Sequence, residues 1–254
     1  MKRFLKGFLM SLSMFSIIPV PKIWDTTAFA WVMPSFPGVG FVIGLLWYGV
    51  VQALIYLDVP LMLQAALIFL FPAVISGFIH IDGFMDTADA IFSRAELAKK
   101  QEILKDSHVG AFAVIMLGVY LLVGFAAVYS VFDAAISINP VVFIFIPVLS
   151  RSLTGIVLLI AKPMKPTGFG AMFRENTKWY HIFILFCVLF LSILLGLLAG
   201  GMMVVYAFAA LIFGGVALSF YVLKQMGGIS GDLCGFVITV SELFALLALA
   251  VIVI

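Results

Sequence analysis

A chain of 254 residues that is 65% hydrophobic and only 10% charged, with a net charge of +2, is not a water-soluble globular domain. Its 14 basic residues are too scattered to form a nucleic-acid-binding face, and two cysteines give no disulfide framework. What remains is an all-α, polytopic integral membrane protein, read as a single membrane-embedded domain over residues 1–254 in contact with the lipid bilayer.

The first apolar segment, 4–20, follows Lys2 and Arg3, contains Lys6 and ends in Pro19-Val20-Pro21. No small-x-small cleavage site precedes Pro19, so the segment reads as a retained interfacial or re-entrant helix and not as a signal peptide. Seven membrane spans are expected after it, over 36–57, 61–79, 109–132, 140–161, 181–199, 202–223 and 235–254. Basic residues fall at 2, 3, 6 and 22, at 94, 99, 100 and 105, at 162, 165, 174 and 178, and at 224, all on one side of those spans. The opposite connections, near Asp58, over 133–139 and at Gly200-Gly201, hold none. The excess of Lys and Arg assigns the charged side to the cytoplasm of a plasma (inner) membrane protein. The fourteenth basic residue, Arg151, lies inside a span.

Between the second and third spans runs His80-Ile81-Asp82-Gly83-Phe84-Met85-Asp86-Thr87-Ala88-Asp89, which holds a quarter of the chain's 12 acidic residues. On a helix each residue advances about 100°, so Asp82, Asp86 and Asp89 fall within an arc of roughly 60°. Three carboxylates on one narrow face repel each other unless a positive group stands between them. A hard cation such as Mg²⁺, itself holding a phosphate, suits them; a capped, solvated helix start is the alternative. If the helix runs on, Ser93, Glu96 and Lys100 extend the stripe as an ordinary solvated face. Arg94, Lys105 and His108 are the nearby cations for a phosphate, while Asp106-Ser107 also suits a cap for the third span.

The loop Lys162–Arg174 contains Gly168-Phe169-Gly170, which reads first as a turn. The last charged loop, Met226-Gly227-Gly228-Ile229-Ser230-Gly231-Asp232, looks like a tight polar turn presenting a carboxylate at the membrane mouth. Arg151 and Glu242, both within spans, are functional candidates, with a helix-orienting pair as the alternative.

These motifs resemble those of the cobalamin synthase family, the membrane-integral adenosylcobinamide-GDP ribazoletransferases. The resemblance runs from Ile18-Pro19-Val20-Pro21 and Phe36-Pro37-x-x-Gly40 through Gly77-Phe78-x-His80-x-Asp82-Gly83-x-x-Asp86-Thr87-x-Asp89. It continues through Glu102-Ile103-Leu104-Lys105-Asp106-Ser107-x-x-Gly110 to Gly227-Gly228-x-Ser230-Gly231-Asp232 and Glu242-Leu243. The chain departs from the family's usual pattern at His108, where Arg is usual, at Ser230, where Thr is usual, and in the serines that flank Arg151. An imidazole holds phosphate less firmly than a permanent guanidinium.

The resemblance implies transfer of the adenosylcobinamide phosphate group from adenosylcobinamide-GDP to α-ribazole or its 5′-phosphate, with release of GMP. It implies that Asp82, Asp86 and Asp89 bind one or two Mg²⁺ ions on the diphosphate. Asp232 would add a ligand or take the hydroxyl proton, while Lys105 and Asp106 would orient phosphate and metal. His80, Arg94, Ser107, His108, Arg151, Gly228, Ser230 and Glu242 are the expected substrate-binding set. An ion-coupled carrier and a phosphotransferase or prenyltransferase acting on a lipid diphosphate are the competing classes, and a homo-oligomer stays open.

Overall fold

The computed structural model describes residues 2–134, 138–164, 169–175 and 177–253. Lys165 and Gly168, within the loop expected to form a glycine turn, lie outside the described residues, as does Ser137 of the opposite connection. Among the described residues the elements are helical: α1 Lys2–Phe15, a 3₁₀ turn Thr26–Trp31, α2 Val32–Tyr56, α3 Leu61–Ile75, α4 Ile79–Phe92 and α5 Leu97–Ile103. There follow α6 Ala111–Asp133, α7 Val142–Ile160, α8 Phe169–Arg174, α9 Trp179–Gly200, α10 Met202–Met226 and α11 Gly231–Val253. Six of them are long and apolar enough to cross a bilayer, and the bent pair α3–α4 makes a seventh if it is counted as one broken span and not as a re-entrant loop.

The second span differs from its expected form. Its helix stops at Ile75, and Gly77 (φ +65°) and Phe78 (φ +59°) both adopt the left-handed region, so that α4 leaves at 91° to α3. Gly77 takes this conformation without cost, whereas Phe78 is strained there. Nor does α4 run on through Glu96 and Lys100, the condition under which they would extend its acidic stripe. The helix ends at Phe92, Arg94 turns the chain with φ +55°, and α5 begins separately at Leu97.

Small residues let the helices meet. A Cβ at Gly40 would stand 2.4 Å from the carbonyl oxygen of Pro147, and one at Gly44 2.2 Å from that of Ile144. Helices α2 and α7 therefore touch backbone to backbone, as in other glycine-spaced membrane interfaces. Two apolar cores result, one around Phe36, Phe84, Ile229 and Phe236, the other around Trp47, Ile68, Phe143 and Leu246. Trp47 donates its indole N–H to the Ile68 carbonyl at 2.8 Å, so its buried polar atom is satisfied. On α9 the residues Phe183, Phe186, Phe190, Leu194 and Leu198 form an exposed apolar stripe suited to lipid.

Helix α1 lies across the start of α2, and beyond it the Ile17 amide donates to the Ile75 carbonyl at 2.9 Å, tying the N-terminal segment to the α3–α4 break. The chain returns to Asp25, which binds Lys6 at 2.7 Å and caps the 3₁₀ turn through the Thr27 amide. Those bonds, Lys6 foremost, pull the Asp25 carboxyl down to about 2.

Candidate active site

Helix α4 climbs the side of α11 from the bundle interior to its charged end. At its foot, Ser76 lies 3.4 Å from the Arg151 guanidinium, level with Glu242. One turn up, the His80 carbonyl accepts from the Thr239 hydroxyl at 3.2 Å. At the top of α11, Gly83 abuts Asp232 so closely that a Cβ would stand 2.8 Å from that residue's Cα and carbonyl oxygen. Glycine is required there because backbone faces backbone. The same climb carries Asp82, Asp86 and Asp89 into one cleft on successive turns, with Asp82 exposed and the other two half-buried. The charges bearing most on Asp86 are those of Asp82, Asp232 and Asp89.

The facing wall is the segment before α6. Asp106 accepts from the His108 amide at 3.0 Å and stands 2.7 Å from its ring Nδ1. These bonds, the amide first, hold the Asp106 carboxyl below the usual carboxylate range. Gly110 sits against Asp89, whose carboxylate occupies the space a Cβ would need, 2.0 Å away. Asp82, Asp86, Asp89, Asp106 and His108 together line a cleft enclosing about 30 Å³.

Beside the cleft, leading into Asp232, runs the loop between α10 and α11. Gly227, at φ +74°, ends α10, and Gly228 packs on Met164, whose backbone would lie 2.7 Å from a Cβ. The Ile229 amide donates to the Lys162 carbonyl and the Met164 amide to the Ile229 carbonyl, both at 2.9 Å, so two charged-side loops are bridged. Ser230 accepts from the Leu233 amide at 3.3 Å, capping α11, and its hydroxyl stands 3.4 Å from Asp232 Oδ2. Helix α5 braces the same loop, with Gln101 donating to the Met226 carbonyl at 2.8 Å. Asp82 also borders a second, apolar cavity of about 230 Å³, shared with Asp232 and His80 and walled by Phe15, Met33, Phe36 and Leu158.

The profile of the family CobS, cobalamin-5-phosphate synthase, matches residues 7–250. The chain belongs to the cobalamin-5-phosphate synthase family. An adenosylcobinamide-GDP ribazoletransferase of Clostridium perfringens (strain SM101) is 38% identical over 253 residues, covering 99% of this chain and 100% of its own. One of Clostridium botulinum (strain Alaska E43) is 36% identical, covering 97% of each chain. One of Geobacillus thermodenitrificans (strain NG80-2) is 34% identical, covering 95% of this chain and 94% of its own. No solved structure gives a significant match.

The family's acidic motif and its glycine loop thus meet in space, although some 140 residues separate Asp89 from Asp232 in the chain. Of the residues singled out from sequence, Asp82, Asp86, Asp89, Asp106 and His108 share the cleft, while Asp232, whose charge bears on Asp86, stands with His80 on the wall of the apolar cavity. Lys105 lies on an open depression beyond Asp106, and Ser107 is exposed beside it. Arg94 is exposed past the end of α4, and Gly228 and Ser230 shape the loop without lining either cavity.

Arg151 and Glu242 are placed apart from both cavities. Their side chains meet at 2.7 Å, buried between α7 and α11, and Ser150 donates to the same carboxylate oxygen at 2.6 Å. The guanidinium also lies 5.8 Å from the centre of the Phe36 ring. This is the geometry of a pair that fixes helix positions beneath the cavity. The walls formed by Phe15, Met33 and Leu158 carry no sequence signal, because apolar residues at helical spacing look the same in a cavity as in a core.

A divalent cation is tested by its donors. Asp82, Asp86 and Asp89 make no ion pair among the described residues, and their oxygens are the hard ligands Mg²⁺ prefers. Among the described residues no three His, Cys, Asp or Glu side chains converge as a complete cage. That matches the habit of Mg²⁺, which is held by one or two carboxylates with the remaining positions left to water and phosphate. Asp82, Asp86 and Asp89 thus supply the oxygen chemistry that Mg²⁺ takes, without three ligands converging on one point.

Proposed function

We propose that the chain transfers the adenosylcobinamide phosphate group from adenosylcobinamide-GDP to α-ribazole or its 5′-phosphate and releases GMP, as the names of its relatives describe for them. The observation that carries the reading is the adjacency of a cleft lined by Asp82, Asp86, Asp89 and Asp106 to an apolar cavity lined by Asp82 and Asp232. A ribose hydroxyl oxygen forms a new bond to the phosphorus that carries the cobinamide group. The phosphoanhydride bond breaks, and its electron pair leaves with GMP.

Phosphoryl transfer asks a protein mainly to hold two partners in line and to neutralise charge on the phosphate oxygens. Asp82, Asp86 and Asp89 would hold one or two Mg²⁺ ions, which supply that neutralisation. Asp232, at the junction of cleft and cavity, takes the hydroxyl proton. Asp106 orients the metal-facing side of the cleft, held ionised by His108. The Lys105 ammonium and, in its imidazolium form, His108 Nε2, at the open edge, attract the diphosphate. The charged loops face the cytoplasm of the plasma membrane, where the nucleotide substrate is available.

The test is direct. Purified protein in detergent, given adenosylcobinamide-GDP, α-ribazole phosphate and Mg²⁺, should release GMP in step with cobalamin phosphate, and EDTA should stop it. Substrate binding without phosphoanhydride turnover would favour a carrier. GMP release undiminished by EDTA would remove Mg²⁺ from the reading.

A further inference from the structure

The apolar cavity has no role in the charge chemistry just described, yet it shares Asp82 with the cleft and carries Asp232 on its own wall. We propose that it seats the aromatic base of the acceptor nucleoside, an inference that rests on the ribazoletransferase reading above. A ligand whose ring system lies in the cavity projects its ribose out between Asp82 and Asp232. That is where the attacking hydroxyl and its proton acceptor must meet.

Shape and chemistry select this occupant over the other parts of the two substrates. About 230 Å³ accommodates one fused bicyclic ring and is far too small for a corrin macrocycle. The walls are Met14, Phe15, Met33, Phe36, Leu158 and Ile238, with Phe15 and Phe36 paired at 4.5 Å between ring centres. Such walls favour a flat apolar ring through burial and ring contacts. Guanine would bring an edge of donors and acceptors that the cavity does not match, leaving buried polar groups unpaired. The Thr154 hydroxyl spends its proton on the Ser150 carbonyl at 2.7 Å and so has none for the guanine carbonyl.

One polar atom on the cavity's residues does lack a partner: His80 Nε2 is buried without a hydrogen bond. A benzimidazole-type base, glycosylated at one nitrogen, presents a single unsubstituted ring nitrogen, and a rotation of the His80 ring that brings Nε2 to the cavity surface would satisfy both. Met14 and Met33, being unbranched and adaptable, allow the pocket to accept modest changes in ring substitution.

The test measures KM for donor and acceptor separately, by GMP release, in Leu158→Phe and Leu158→Ala. The Phe variant partly fills the cavity and should raise the acceptor KM about tenfold or more while the donor KM stays within about twofold. The Ala variant should gain about tenfold in relative kcat/KM for an acceptor whose base carries one extra fused ring, compared with the parent enzyme. If Leu158→Phe does not fold, the base-size preference of Leu158→Ala decides alone. A rise in donor KM, a parallel rise in both, or an unchanged size preference in the Ala variant overturns the assignment. Absence of GMP release from the parent protein would instead remove the ribazoletransferase reading, and the base site with it.

Discussion

The close seat of α4 on α11 makes Gly83→Ala a sharp test of the cleft. A Cβ at position 83 would lie 2.8 Å from both the Cα and the carbonyl oxygen of Asp232, whereas non-bonded carbon atoms settle at about 3.5–4.0 Å. The obstacle is backbone, so no side chain can swing aside, and the helices must part by about 1 Å. Overpacking of that kind costs about 1–3 kcal/mol, which lowers the unfolding temperature by a few degrees without preventing folding. Misplacing a reacting group by 1 Å costs on the order of 10²-fold in rate. Gly83→Ala should therefore remain folded and membrane-inserted but lose about a hundredfold in kcat for GMP release at saturating substrates. Gly49→Ala and Gly118→Ala, where a Cβ meets nothing within 4 Å, should keep parental turnover. Parental kcat in Gly83→Ala would show that the spacing of Asp86 and Asp232 does not matter to the reaction.

Asp82→Asn, Asp86→Asn and Asp89→Asn should each lower turnover by several kcal/mol of transition-state stabilisation with normal insertion; two near-normal variants at limiting Mg²⁺ would favour a mere helix face. Glu242→Ala leaves the Arg151 guanidinium buried and unpaired, so it should cost about 3–5 kcal/mol, read as a fall in the detergent melting temperature, whereas Arg151→Met with Glu242→Leu should recover most of that loss. In a background lacking Cys187 and Cys234, a cysteine at Ala95 should label from the cytoplasm and one at Asp58 from outside; the reverse pattern would overturn the topology. His108→Ala removes the ring bond that helps depress the Asp106 carboxyl. A depressed carboxylate keeps its function above its ordinary titration range and loses it only as pH falls through the lowered value. The acidic limb of the rate profile should thus move to higher pH in His108→Ala, and an unmoved limb would dismiss Asp106 from the site.

Much of the fold was legible because a bilayer simplifies the physics: long apolar runs between charged loops have only the helix as a solution. The α3–α4 break was not legible. An isolated glycine in an apolar run is an ambiguous signal, and the second left-handed residue is Phe78, a type that seldom adopts such a conformation. The arc of Asp82, Asp86 and Asp89 was legible, since helix periodicity alone puts them on one face, and α4 is indeed helical across all three. Their meeting with Asp232 was not legible from spacing, because it depends on Gly83 and Gly235 admitting α11 within backbone contact.

The break and the acidic face belong to one argument. A span running straight through from Leu61 would direct its last turns along the bundle axis and away from the top of α11. The left-handed pair at Gly77-Phe78 turns the chain by 91° midway, at the level of the Arg151–Glu242 pair. The second half then climbs α11 with its small residue, Gly83, inward and its carboxylates toward the cleft. The buried ion pair and its Ser76 contact brace the bundle where the bend occurs, which gives Arg151 and Glu242 a place in the reaction's geometry while they touch neither cavity. The strained Phe78 backbone, its amide held on the Ala73 carbonyl at 2.8 Å, thus sits at the point where the fold sets the direction of its acidic helix.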